Sequence, residues 1–235
     1  MNRKNILLLV ATFALICWAR QNATAQVFIY NNSTNDLSTR FSPGTLEVGD
    51  EITLAGTERY LQSFSFEYWG TNTANPTAFA GAIQAEVKIY LNDGAAFNGY
   101  LSPNTVLYDS GLFAVPSPTS RSTFNFSAGS DFPTGGLFLG PGPGGSLLTN
   151  LTWSIKFSGM GATDAVGIDL YSPPVVGGNY PDYWENNGGW VLQTNSVPVS
   201  FAATMTATPE PSVFALGIGG GLALLAAHCL ARRKV

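Results

Sequence analysis

"AIQAEVKIYL" (residues 82–91) decides the fold. Ile83, Ala85, Val87, Ile89 and Leu91 fall on one side, and Gln84, Glu86, Lys88 and Tyr90 on the other. That is the period-two pattern of a strand with one buried face. The pattern recurs in "LTWSIKF" (151–157), where Leu151, Trp153, Ile155 and Phe157 oppose Thr152, Ser154 and Lys156. "FSFEYW" (64–69) sets Phe64, Phe66 and Tyr68 against Ser65 and Glu67. "AVGIDLY" (165–171) turns Val166, Ile168 and Leu170 inward, and "VSFAATM" (199–205) does so with Val199, Phe201, Ala203 and Met205. Shorter strands are expected over 27–30, 51–54, 105–108, 123–126 and 190–193. No segment between the chain's two ends carries a 3.6-residue apolar stripe. About ten half-buried strands must close against one another, and two packed antiparallel sheets are the economical solution. The expected class is all-β, an antiparallel β-sandwich of jelly-roll or lectin-like type, with an immunoglobulin-like topology as the second choice. Turn signals fit: "NDG" (92–94), "PSP" (116–118) and "GPGPGG" (140–145). The last precedes no helix and has no Lys-Ser ending, so it reads as a flexible connection and not a phosphate cradle.

Both ends of the chain are built differently. Arg3 and Lys4 precede an apolar run over 6–18, and "ATA" (23–25) offers small residues for cleavage, the order of a secretory signal peptide over 1–25. The strand-rich body then covers 26–206 and the tail 207–235. In the tail, 213–230 is 18 residues without charge, followed by Arg232, Arg233 and Lys234. A helix of that length spans about 27 Å, close to the roughly 30 Å of a bilayer core. Pro209 and Pro211 prevent an earlier helix start. The three basic residues act as a stop-transfer signal and hold the tip on the cytoplasmic side.

Pro209-Glu210-Pro211, one hydrophobic span and a basic tip together resemble the PEP-CTERM sorting signal of Gram-negative bacteria. The resemblance covers the tail alone. It implies that Pro209, Glu210 and Pro211 are recognised by an exosortase-type protease of the inner membrane. Processing would then release the protein to the cell envelope surface or extracellular matrix. The same tail is also catalogued as an ice-binding-protein C-terminal motif, a label that implies no ice binding. The association of the signal with polysaccharide-producing bacteria makes exopolysaccharide an expected partner of the body.

Composition excludes several chemistries. Residues 26–208 carry five bases against fourteen acids, a net charge of −9, which repels phosphate backbones and argues against nucleic acid. Cys17, Cys229 and His228 all lie in the two ends, so the body has neither cysteine nor histidine. Ser-His-Asp and Cys-His catalysis, zinc ligation by thiolate or imidazole, and disulfides are excluded there. Carboxylate chemistry and oxygen ligation of calcium remain.

Two stretches stand out as sites. "SPPVVGGNYPDYWENNGGW" (172–190) gathers Tyr180, Tyr183, Trp184 and Trp190 with Asp182, Glu185 and Asn186. Aromatic faces beside amides and carboxylates suit a sugar, and Tyr183, Trp184 and Trp190 are the expected stacking residues. The alternative is a long loop folded over the sandwich, its rings capping the core. "YNNSTND" (30–36) offers Asn31, Asn32, Asn35 and Asp36, which with Asp50 or Glu51 would suit calcium; a solvated turn is the alternative. No catalytic residue and no other cofactor is assigned. The expected function is that of an exported, non-catalytic surface or matrix protein, with the membrane as a partner before processing. A carbohydrate-active hydrolase using a carboxylate pair is the alternative, and it needs two carboxyls about 5–10 Å apart in a cleft.

Overall fold

A computed structural model of the protein describes residues 26–194 and 198–208. The signal peptide, sorting motif, 213–230 helix and basic tip expected from the sequence lie outside the described residues. The alternating segments become strands of two antiparallel sheets. A seven-stranded sheet holds β1 (Val27–Asn32), β2 (Asp36–Phe41), β4 (Tyr60–Asn72), β9 (Thr119–Ser127), β10 (Leu137–Phe138), β12 (Asp164–Tyr171) and β15 (Ala203–Thr208). A six-stranded sheet holds β3 (Glu47–Thr53), β5 (Gln84–Leu91), β8 (Val106–Ala114), β11 (Asn150–Ser158), β13 (Gly178–Asn186) and β14 (Trp190–Gln193), while β6 (Ala96–Phe97) and β7 (Tyr100–Leu101) form a ribbon of their own. The path of the first sheet is β1-β15-β4-β12-β2, with β9 and β10 also on β4; the second runs β14-β13-β3-β11-β5-β8.

The apolar faces read from the sequence meet between the sheets. Phe64 and Phe66 of β4 pack on Trp153 of β11, with ring centroids 5.1 and 5.7 Å apart, and Phe201 reaches the same indole at 5.4 Å. Ile83, Ala85, Val87 and Ile89 are buried in this core together with Leu151, Ile155, Phe157, Val166, Ile168 and Met205. Rings from both sheets interlock throughout, as when Phe113 of β8 meets Phe126 of β9 at 5.5 Å. Edge-to-face contacts of this kind add to the burial itself.

One buried polar arrangement has a structural cause. Phe201 bridges Leu170 antiparallel to β12, so its own N–H and C=O point away from that strand. Asp50 Oδ2 accepts the N–H at 2.8 Å, and Asn32 Nδ2 donates to the C=O at 3.1 Å and to Tyr171 O at 2.8 Å. Two side chains thus replace a neighbouring strand, which explains why both are fully buried. Burial drives the Asp50 carboxyl well above the usual carboxylate range; the Phe201 N–H opposes this and the Glu51 charge adds to it. The sign for stability follows. Below about pH 3.9 the carboxyl is neutral in folded and unfolded chains alike. As pH rises, the unfolded chain releases the proton first, so stability falls until the folded pKa is passed and is flat thereafter. Asp50→Asn keeps an acceptor for Phe201 and removes this slope. Melting temperatures from pH 4 to 8 are expected to decline less in the variant than in the parent; equal decline would mean that the carboxyl is not the group involved.

The structure corrects two readings and adds detail to two others. Residues 172–190, expected as a long loop, form most of the β13–β14 hairpin, in which Asn186 pairs with Trp190. Pro181 sits where the β13–β3 register shifts, between Asn179 and Tyr183, which is where a strand inside a sheet tolerates proline. In "LNDGAAFNGY" (91–100), "NDG" bends the chain out of β5, and a second turn at Asn98 and Gly99, both at positive φ, forms the tip of the β6–β7 ribbon. "GPGPGG" lies in the connection between β10 and β11, as expected, and contains a short 3-10 turn at Pro143–Gly145. Finally, "YNNSTND" is split: β1 runs through Asn32 and β2 begins at Asp36.

Candidate functional site

The outer face of the six-stranded sheet is where polar and aromatic side chains converge. On β3, Val48, Asp50 and Ile52 face the core, so Glu47, Gly49 and Glu51 point the other way. Cross-strand neighbours add Thr152 and Ser154 from β11, Tyr90 from β5, and Trp184 and Asn186 from β13. Glu47 accepts three hydrogen bonds: Tyr90 Oη (2.8 Å) and Ser154 Oγ (2.7 Å) donate to Oε1, and Asn186 Nδ2 (3.1 Å) to Oε2. Burial, then the bond to Glu47, raises the Tyr90 phenol far above its ordinary value.

Glu51 is in a different state. It is 5% exposed, and its Oε2 accepts one hydrogen bond from Trp184 Nε1 at 3.2 Å. Among the described residues no Lys or Arg pairs with it. Burial raises its pKa, opposed by Trp184 and by the amides of Asn92 and Asn150. Asn92 accepts from Thr152 Oγ1 at 2.8 Å. Its buried Nδ2, near enough to favour the Glu51 charge, makes no hydrogen bond of normal geometry among the described residues.

Glu51 and Asn92 line a cavity of about 330 Å³ with Tyr100, Asn150, Tyr180 and Leu148. Such a volume is at the small end of the roughly 300–1,000 Å³ usual for small-molecule sites. One wall is the β6–β7 ribbon. Its base is held by Asp93, which accepts from Thr105 N and Oγ1 at 2.9 and 2.7 Å. From this ribbon Tyr100 packs edge-on against Tyr180, centroids 5.3 Å apart, and Asn150 Nδ2 donates to Tyr180 Oη at 3.0 Å. The opposite wall is residues 146–149. Arg59, 2% exposed, donates to Leu148 O (2.6 Å), Glu58 O (2.6 Å), Gly56 O (3.2 Å) and Ala55 O (3.4 Å), fixing that wall to the loop after β3.

The aromatic residues expected to stack are divided among three environments. Tyr183 faces the core, its ring 5.0 Å from Phe41. Trp184 is fully buried outside that core, beneath Phe97 of the ribbon at 6.4 Å, and supports Glu51. Trp190 is half-buried and packs edge-on against Tyr90 at 5.5 Å. Asp182, Glu185 and Asn186 are half-buried on β13, and of these Asn186 joins the Glu47 cluster. None of the six lines the cavity; Tyr180 of the same stretch does. Glu51, Asn92 and Asn150 escaped the sequence reading as members of one site, because only sheet register brings β3, β5 and β11 together there.

The oxygen-rich "YNNSTND" side chains go to separate partners. Asn31 Oδ1 accepts from Ser33 Oγ at 2.8 Å, Asn35 donates to Pro173 O at 2.5 Å, and Asp36 pairs with Arg121. That last pair belongs to a charged cluster on the outer face of the seven-stranded sheet. Arg121 also reaches Glu67 (3.4 Å) and Asp169 (3.7 Å), Arg40 reaches Asp169 (3.3 Å), and Tyr171 Oη donates to Glu67 (2.8 Å). The cluster sets two guanidiniums among three carboxylates and fastens β2 and β9 across β4 and β12. No group of three or more His, Cys, Asp or Glu stands together as a metal site among the described residues.

Compared with known protein families, curated proteins and solved structures, the chain finds no match.

Proposed function

We propose that the protein is an exported, non-catalytic component of the cell surface or extracellular matrix, whose body binds polysaccharide through the cavity beside Glu51. In this reading the body is a lectin-like sandwich, and a Gram-negative envelope is its destination. The observation that carries the reading is the cavity's lining: one carboxylate, two primary amides and two phenol rings, the mixture that hydrogen-bonds sugar hydroxyls and stacks on their CH faces. The hydrolase alternative is less well supported. Glu47 and Glu51, four residues apart on one strand, have Cα atoms about 13 Å apart, and three donors already occupy Glu47. Retention of the body on immobilised exopolysaccharide, lost in Tyr180→Ala, tests the binding; turnover abolished by a single Asp or Glu substitution would replace this reading with the hydrolase.

Delivery rests on the PEP-CTERM resemblance of the tail. β15 runs to Thr208, the last described residue, where it pairs with Tyr60. Glu210→Ala therefore alters a residue outside every described strand. It is expected to leave the melting temperature of the body unchanged and to trap precursor in the inner membrane of the native host, with the body still digestible by protease added to spheroplasts. Normal release of this variant would contradict recognition of the motif by an exosortase-type protease.

A further inference from the structure

We infer that the cavity is a subsite for an amino sugar, with its ammonium on the Glu51 carboxylate beside the Tyr100 and Tyr180 rings and its hydroxyls among the amides of Asn92 and Asn150. The inference rests on the polysaccharide reading above and narrows it to one class of saccharide.

Three observations lead there. Glu51 is a buried carboxylate with no basic partner among the described residues, an arrangement that an incoming cation completes. Every base of the body is engaged elsewhere or lies outside the cavity lining: Arg59 is spent on carbonyls, Lys88 on Glu86 and Asp109, and Arg40 and Arg121 on the opposite sheet. Second, Tyr100 and Tyr180 pack edge-to-face, 83° between planes, and both line the cavity with Glu51. A cation held against aromatic faces gains from the ring quadrupoles, and more so when desolvated. Third, the side chains of Asn92 and Asn150 stand in the same lining and surround the carboxylate with amides. Amides beside the carboxylate suit the hydroxyls that a sugar carries next to its amine. The net charge of −9 over residues 26–208 favours a cationic polymer and disfavours a uronic one.

Isothermal titration of residues 26–208 with three trisaccharides separates the possibilities: β-1,4-linked glucosamine, its N-acetylated form and the corresponding glucose oligomer. The free amine is expected to bind about tenfold more tightly than either neutral oligomer. Glu51→Gln retains an acceptor for Trp184 Nε1, and it is expected to erase that preference while leaving near-UV circular dichroism unchanged. Tyr180→Ala should weaken binding of all three. Equal affinity for amine and acetamide would overturn the amino-sugar assignment and leave polysaccharide binding standing. So would binding of native exopolysaccharide with no binding of any trisaccharide. Absence of binding to the trisaccharides and to exopolysaccharide alike would overturn both.

Discussion

Trp184→Ala is expected to destabilise the body by about 3–5 kcal/mol, the usual cost of deleting a fully buried indole. The ring is 0% exposed although it lies on the outer face of a sheet, because the β6–β7 ribbon places Phe97 over it. For a domain of this size that loss lowers the melting temperature by on the order of 10 °C. Truncation also removes the Trp184 Nε1–H bond to Glu51, so ligand binding falls with stability. Trp184→Phe separates the two effects, since it keeps most of the apolar volume and deletes Nε1–H. It should retain most of the stability and still bind more weakly. A loss below about 1 kcal/mol for Trp184→Ala, typical of an exposed position, would mean that the ribbon does not cover the ring.

Arg59→Met is expected to cost on the order of 3 kcal/mol, because each carbonyl left buried without a donor costs about 1–3 kcal/mol and some recover water. The methionine replaces the aliphatic stem but none of the four donors that hold Leu148, Glu58, Gly56 and Ala55. Since Leu148 belongs to the cavity wall, the variant should also lose affinity beyond what its residual folded fraction explains. Chemical denaturation and titration on the same sample read both quantities. Unchanged stability would assign the guanidinium to solvent.

Period-two alternation made the strands that build the core legible, since a half-buried strand must alternate whatever its partners. Ile83 to Leu91 and Leu151 to Phe157 face inward as their spacing requires, and Trp190–Gln193 forms a strand at the residues expected. What failed was reading composition as conformation. Gly, Pro and Asn around Tyr180 to Trp190 looked like a loop, yet the glycines form the tight turn at 188–189 and the proline sits at a bulge. β2 was hidden because its side chains are mostly exposed and it is held by pairing with β12 and by Arg121, neither of which leaves an apolar pattern. The "FNGY" turn was the one missed signal present in the sequence itself. The cavity was not legible. Its residues come from four strands and three connections, and each is ordinary until register sets them side by side.

The central claim is that saccharide binds at the cavity beside Glu51. Titration of ¹⁵N-labelled residues 26–208, a span that contains the domain core, with exopolysaccharide fragments tests it by nuclear magnetic resonance. The account predicts saturable shifts of the Asn92 and Asn150 side-chain amides and the Trp184 indole N–H, with the Trp69 indole on the opposite sheet unmoved. Shifts confined to Trp69, Arg40 and Arg121, or no shift at saturating saccharide, would contradict it.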